Sequence, residues 1–251
     1  MRKLLLSAAL LIPGAALATS IVAVRTSKSF IIAADSKPTY RGAPGPSTVC
    51  KIYRTGKLYF AISGLDYDKG RNFFPSQLVA ANFSDRQPFD RAVSRVQAAV
   101  TSALLAELNA MHSTDPATFR FTVRNRDVTS ILLAEFRAGI PRAAGLEFQY
   151  VDSPAPRVKV NRIACPGDCP SGNQYFFLGE QAEARQFLKD HSRQPLNPRT
   201  LPESLVRLEA KSHPDDVGPP ISVLRVTRIG PSWLANDSAC PILVHPPARP
   251  R

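Results

Sequence analysis

Histidine is scarce in this chain of 251 residues, and His112, His191, His213 and His245 each stand without a second ligand pair nearby. That pattern argues against a zinc centre, and neither a metal nor another cofactor is expected. After the first eighteen residues the sequence also lacks any apolar run of the roughly 20 residues that a membrane-spanning helix needs. Acidic residues are in deficit, 20 Asp and Glu against 32 Lys and Arg, which gives a formal net charge of +12 and favours anionic partners. The basic residues are scattered, however, and are not interleaved with aromatics on one face. A solvated basic surface is therefore expected, with no specific nucleic-acid partner. Hydrophobic residues at 44% and charged residues at 21% exclude a largely disordered chain and suit one globular domain over residues 19–244.

The ends have their own character. Met1-Arg2-Lys3 is followed by an almost unbroken apolar run from Leu4 to Ile12, and small residues then lead to Ala16-Leu17-Ala18. A basic start, an apolar middle and an A-x-A site predict an export signal over 1–18, which leaves Thr19 as the first mature residue. Pro13 and Gly14 interrupt the run, so no stable membrane anchor is expected after cleavage. Loss of Arg2 and Lys3 lowers the net charge to about +10. The expected location is periplasmic or secreted, where disulfides persist. Cys50, Cys165, Cys169 and Cys240 allow three pairings; a short Cys165–Cys169 loop is preferred, which leaves Cys50 with Cys240. His245-Pro-Pro-Ala-Arg-Pro-Arg251 reads as a disordered basic tail.

Thr19 to Arg25 and Phe30 to Asp35 are β-rich runs around a short polar turn. With Ser27 and Lys28 as the two-residue turn, Ser20 pairs with Asp35 and Thr19 with Ser36. Asp35 is thereby predicted to return to the new amino terminus. The near absence of polar residues in both runs marks strands covered on both faces. A second hairpin runs from Cys50–Arg54 through Thr55-Gly56 into Lys57–Ser63, and Gly64 ends it.

A threonine hydroxyl is a weak nucleophile at neutral pH, whereas an α-amine of pKa roughly 7.7–8.0 is a base close to working pH. Cleavage after Ala18 would put that base on the nucleophile itself. A lysine ammonium beside the hydroxyl would favour the alkoxide, and a carboxylate would hold the lysine in place. Lys51 and Asp35 are the candidates.

At these residues the sequence resembles the proteasome β-type subunits, which are N-terminal nucleophile (Ntn) hydrolases. That family begins with a threonine, carries an Ala-Ala-Asp-Ser-Arg/Lys-like motif at the end of the next strand, and has a later Lys-Ile. Here Ala33-Ala34-Asp35-Ser36-Lys37 and Lys51-Ile52 stand at the family's own intervals from Thr19. After a one-residue deletion, Ile62-Ser63-Gly64 matches the turn whose glycine N–H is the oxyanion donor, so Gly64 is the candidate for that role. The resemblance implies an α+β fold, a four-layer αββα sandwich of the Ntn-hydrolase type.

Beyond residue 64 the match thins. Ser212-His213-Pro214-Asp215 resembles the family's His-x-Asp segment, which makes Asp215 the counterpart of a supporting aspartate; Asp215 and Asp216 as simple loop carboxylates stay open. Two family serines are missing, with Gly218 at one place and Leu178-Gly179-Glu180-Gln181 at the other. Periodicity predicts helices over Phe89–Met111, Pro75–Ala81, from Gly179 to about Lys189, and Pro202–Lys211. Strands are predicted over 130–136, 146–151, 158–163, 174–178 and 221–229. The expected activity is that of an exported threonine-type hydrolase acting on peptide or other amide bonds, the alternative being a catalytically inactive scaffold or binding protein. Expected partners are a peptide or amide substrate and, as a family trait that export makes dispensable, further copies in a homo-oligomer.

Overall fold

The computed structural model describes residues 19–38, 48–66, 68, 70–124, 127–236 and 240. The expected export signal at 1–18 and the expected tail at 245–251 lie outside the described residues. Ten strands and five helices are formed among the described residues.

The first hairpin is β1 (Ser20–Arg25) and β2 (Ser29–Asp35), and every residue of both strands is buried. Ile21 pairs with Ala34 and Arg25 with Phe30, the register anticipated from the sequence. Thr26 sets the turn, its Oγ1 accepting the Lys28 and Ser29 N–H groups at 3.1 and 2.9 Å. The second hairpin joins β3 (Ile52–Thr55) to β4 (Leu58–Gly64). Its turn falls one residue later than anticipated because Gly56 supplies the left-handed backbone, at φ 55°.

Three helices follow: α1 (Pro75–Asn82), α2 (Phe89–Thr114) and α3 (Pro116–Val123). The α2 stripe, including Val93, Val96, Val100, Leu104 and Leu108, is fully buried, as its spacing predicts. The helix α3 was not anticipated, although its start is written in the sequence: Asp115 accepts the Thr118 N–H at 3.0 Å and Pro116 occupies the first turn. Four strands come next, β5 (Asp127–Arg137), β6 (Ile140–Val151), β7 (Arg157–Cys165) and β8 (Gln174–Gly179). The chain closes with α4 (Ala182–Asp190), α5 (Leu201–Ser212), β9 (Ile221–Thr227) and β10 (Gly230–Asn236). The expected strand over 221–229 thus ends at Thr227 and turns into a tenth strand. Pro231 is tolerated there because β10 is a sheet edge.

The strands form two five-stranded sheets, ordered β10-β9-β2-β1-β8 and β3-β4-β5-β6-β7, with every pairing antiparallel. Between them pack Ile21, Ala23, Phe30, Ile32, Ala61, Leu132 and Phe176. Phe60, Ile131, Leu133 and Phe148 meet the α2 stripe, while Val22, Ile31 and Ala33 meet Leu205 and Val206 of α5.

The α+β four-layer αββα sandwich implied by the resemblance is corrected by this architecture. The chain is a mixed α/β fold with two antiparallel sheets and five helices. Only α2 and α5 lie broadly on strands; α1 and α3 pack chiefly on α2, and α4 on α5. The cause is narrow apolar surface: α1 buries Pro75 and Val79, and α4 buries only Ala184, too little to cover a sheet. The anticipated two-plus-two helix order also omitted α3.

Both disulfides are present, Cys165–Cys169 across four residues and Cys50–Cys240 across 190. They fit an oxidising, exported environment.

Candidate active site

Thr19 stands at the entrance to β1 and is only 6% exposed. The ammonium of Lys51, itself buried, donates to Thr19 Oγ1 at 2.9 Å and to Asp35 Oδ1 at 2.8 Å. Three residues separated by 16 and 32 positions are therefore in direct contact. The antiparallel hairpin brings Asp35 back beside Thr19, and Lys51 arrives on the segment entering β3. One residue before it, Cys50 is tied to Cys240.

The Asp35 carboxylate is fully buried and well supplied with donors. Oδ1 accepts the Ser20 N–H at 3.0 Å besides the Lys51 ammonium, and Oδ2 accepts the N–H groups of Lys37 at 3.1 Å and Gly218 at 3.5 Å. Burial pushes its pKa up, and the Lys51 charge and these hydrogen bonds oppose that rise. The mirror situation holds at Lys51, where burial pushes the pKa down and the Asp35 charge, with a further contribution from Asp66, opposes it. A desolvated ammonium in contact with a hydroxyl oxygen stabilises negative charge there far better than a solvated one would. Donating to Oγ1, the Lys51 side chain polarises the Thr19 hydroxyl.

The backbone of Thr19 is fixed by β8 and its continuation. Ser20 pairs with Gly179, and the Glu180 N–H donates to the Thr19 carbonyl at 2.8 Å. Gly179 has φ +77°, and a Cβ built there would lie 1.6 Å from Thr19 O. Only glycine fits. The same backbone explains why the expected helix does not open at Gly179: a left-handed residue ends β8, and α4 begins at Ala182.

Gly64 closes β4 with φ +84°, and a Cβ there would come within 2.3 Å of the Val128 carbonyl, which accepts the Leu65 N–H at 2.8 Å. Its neighbour Ser63 lies 3.5 Å from the place a Gly179 Cβ would take, so the end of β4 abuts the backbone that holds Thr19. Asp215 is different. It is exposed in the turn after α5, and among the described residues no hydrogen bond or ion pair joins it to Thr19, Asp35 or Lys51. That turn instead delivers the Gly218 N–H to Asp35, and the Pro214 carbonyl, which accepts from the Lys37 ammonium at 2.6 Å.

Reading residue types did not reveal the parts played by Gly179, Glu180 and Gly218, because they act through backbone groups that carry no side-chain signature. A second hidden contributor is Glu209 on α5. Its side chain is fully buried, and Oε1 accepts the Ala184 N–H at 2.7 Å, capping α4 where Gln181 makes no side-chain cap. Burial raises its pKa, opposed by the Ala184 N–H and by His213, whose Nε2 lies 3.9 Å from Oε2.

Compared with models of protein families this chain matches none, and compared with curated proteins it again finds no match, so its chemistry rests on the arrangement of its own residues.

Proposed function

We propose that the protein is an exported hydrolase of amide bonds, a threonine-type peptidase or amidase acting in the periplasm or after secretion, with Thr19 as an N-terminal nucleophile. The observation that supports this most strongly is the contact of the Lys51 ammonium with both Thr19 Oγ1 and Asp35 Oδ1. Removal of residues 1–18 would free the Thr19 amine. The Thr19 hydroxyl then attacks the carbonyl carbon of the amide, and its proton passes to that amine. Lys51 stabilises the developing charge on Oγ1, Asp35 holds Lys51, and the Gly64 N–H is assigned to the carbonyl oxygen. The amine hands its proton to the leaving nitrogen as the C–N bond breaks, leaving an ester on Thr19. Water hydrolyses the ester and restores the hydroxyl.

A second reading is favoured by one sequence feature: Gly218 and Glu180 stand where the resembling family places hydroxyl side chains that relay protons. On that reading the protein is a binding or scaffold protein with an unused site.

Exported protein treated with a threonine-directed β-lactone separates the two. Amino-terminal sequencing is expected to begin at Thr19, and intact mass is expected to show one acyl adduct that Thr19→Ala lacks. Correctly processed protein that takes no adduct would establish the scaffold reading.

A further inference from the structure

Next to the Thr19 backbone lies a cavity of about 230 Å³, whose lining includes Ser63, Gly64, Gly179 and Glu180. It begins at the glycine assigned to the oxyanion and at the two residues that fix Thr19. Its far side is formed by the end of α3 and by β5 and β6.

Among the described residues the cavity's lining is polar, and its charge is opposite in sign to that of the whole chain. Among the described residues it is lined by three carboxylates, Asp127, Glu147 and Glu180, against one guanidinium, Arg124. Asp127 is engaged by Gln149, whose Nε2 donates to Oδ1 at 2.8 Å, and the Arg124 guanidinium sits 4.3 Å from the centre of the Phe121 ring. Glu147 and Glu180 are half-buried and, among the described residues, neither carboxylate has a hydrogen-bond or ion-pair partner. Two hydroxyls point to the same conclusion. Ser63 is 3% and Thr122 7% exposed, both line the cavity, and neither side chain has a hydrogen-bond partner among the described residues. Side chains that line a cavity and keep no protein partner are available to a ligand's polar group.

We infer that this cavity receives an organic cation carried by the substrate next to the scissile amide, with Glu147 and Glu180 as counter-charges and Ser63 and Thr122 as hydrogen-bond acceptors. The inference rests on the hydrolase reading for its catalytic consequence. Two sources share this chemistry, the side chain of a lysine or arginine and a free α-amino group. Either presents a nitrogen cation with several donors to carboxylate and hydroxyl oxygens.

The test uses mature protein beginning at Thr19 and fluorogenic peptide amides in matched sets. One set is acetylated and carries lysine, glutamine or glutamate beside the scissile bond; another carries a neutral residue and a free or acetylated amino terminus. The lysine or free-amine member is expected to show the lowest KM. Glu147→Gln and Glu180→Gln are each expected to raise that KM about three- to fivefold relative to the KM of the glutamine peptide measured on the same variant. Asp190→Asn, a remote surface change, should leave the preference intact.

Binding of the same peptides to Thr19→Ala protein, followed by calorimetry, keeps the outcome independent of turnover. A cationic preference in that protein that vanishes with Glu147→Gln or Glu180→Gln upholds the cavity even when the wild type proves unreactive toward lactone. Equal binding of lysine and glutamine peptides, or a glutamate preference through Arg124, overturns it. Selectivity for the free-amine set alone identifies an amino terminus as the cation, and selectivity for the acetylated lysine set identifies the side chain.

Discussion

The carbonyl of Thr19 accepts the N–H of Glu180 at 2.8 Å, and the residue before Glu180 can only be glycine. This contact fixes the backbone of Thr19 from the side of β8, opposite to the strand that carries Asp35. Gly179→Ala would place a methyl group 1.6 Å from that carbonyl at φ +77°. The strain is expected to cost about 1–3 kcal/mol and to displace Thr19, so acylation should fall by about a hundredfold. Urea unfolding and lactone-labelling rates on the same preparation check both effects.

Lys51→Met removes the ammonium and leaves Asp35 as an unpaired buried charge. A loss of about 3–5 kcal/mol is expected in the single variant. Adding Asp35→Asn should recover most of that stability while acylation stays down by at least about a hundredfold. Equal recovery of stability and acylation would mean that Lys51 serves the fold alone.

Acylation should rise with pH as the Thr19 amine loses its proton, around pH 7.7–8.0 for an ordinary α-amine. It should fall again on the alkaline side when Lys51 gives up its charge. Because burial lowers that lysine's pKa, the alkaline limb belongs below the ordinary 10.5. A pH profile of pseudo-first-order labelling rates measures both limbs, and a limb at or above 10.5 would contradict the assignment of Lys51.

The pH dependence of stability follows from Glu107, Glu135 and Glu209, buried carboxyls whose pKa values burial raises above the ordinary 4.5. Above that pH the folded state holds more protons on these groups than the unfolded chain. Their contribution is therefore full below about pH 4.5 and is lost as pH rises through their folded values. Urea midpoints from pH 4 to 8 should show this decline. Glu209→Gln, which keeps an acceptor for the Ala184 N–H, should make it shallower.

Cys240→Ser opens the disulfide that closes the 190-residue separation to Cys50. A stability loss of about 2–4 kcal/mol is expected. Since Lys51 is the next residue after Cys50, labelling should slow by about tenfold as well. Thermal melts and labelling with and without dithiol reductant on wild type provide the comparison.

The hairpin register and the return of Asp35 to Thr19 were legible because a tight turn converts sequence spacing into pairing, and continuous apolar runs mark buried strands, whereas Lys51 was placed by the intervals of the resemblance. The α2 stripe was legible for the analogous reason of period. Layer architecture was not, since the number of helices and their stacking depend on how much apolar surface each presents, and α1, α3 and α4 present little. Asp215 was placed by resemblance, yet the turn it belongs to contributes a backbone N–H from Gly218 instead. Glu209 escaped notice because a glutamate on an otherwise amphipathic helix looks solvated until the neighbouring helix start is seen above it.

The strand that carries Thr19 is interior to its sheet, flanked by β2 on one side and β8 on the other. Its first neighbour forms locally, whereas its second is separated by some 150 residues of intervening chain. Closure of that long loop must precede completion of the sheet, which places this molecule among slow-folding, high-contact-order topologies. Thr19 and the backbone of β8 that holds it therefore meet only once that long loop has closed, so this corner of the molecule is among the last to be completed.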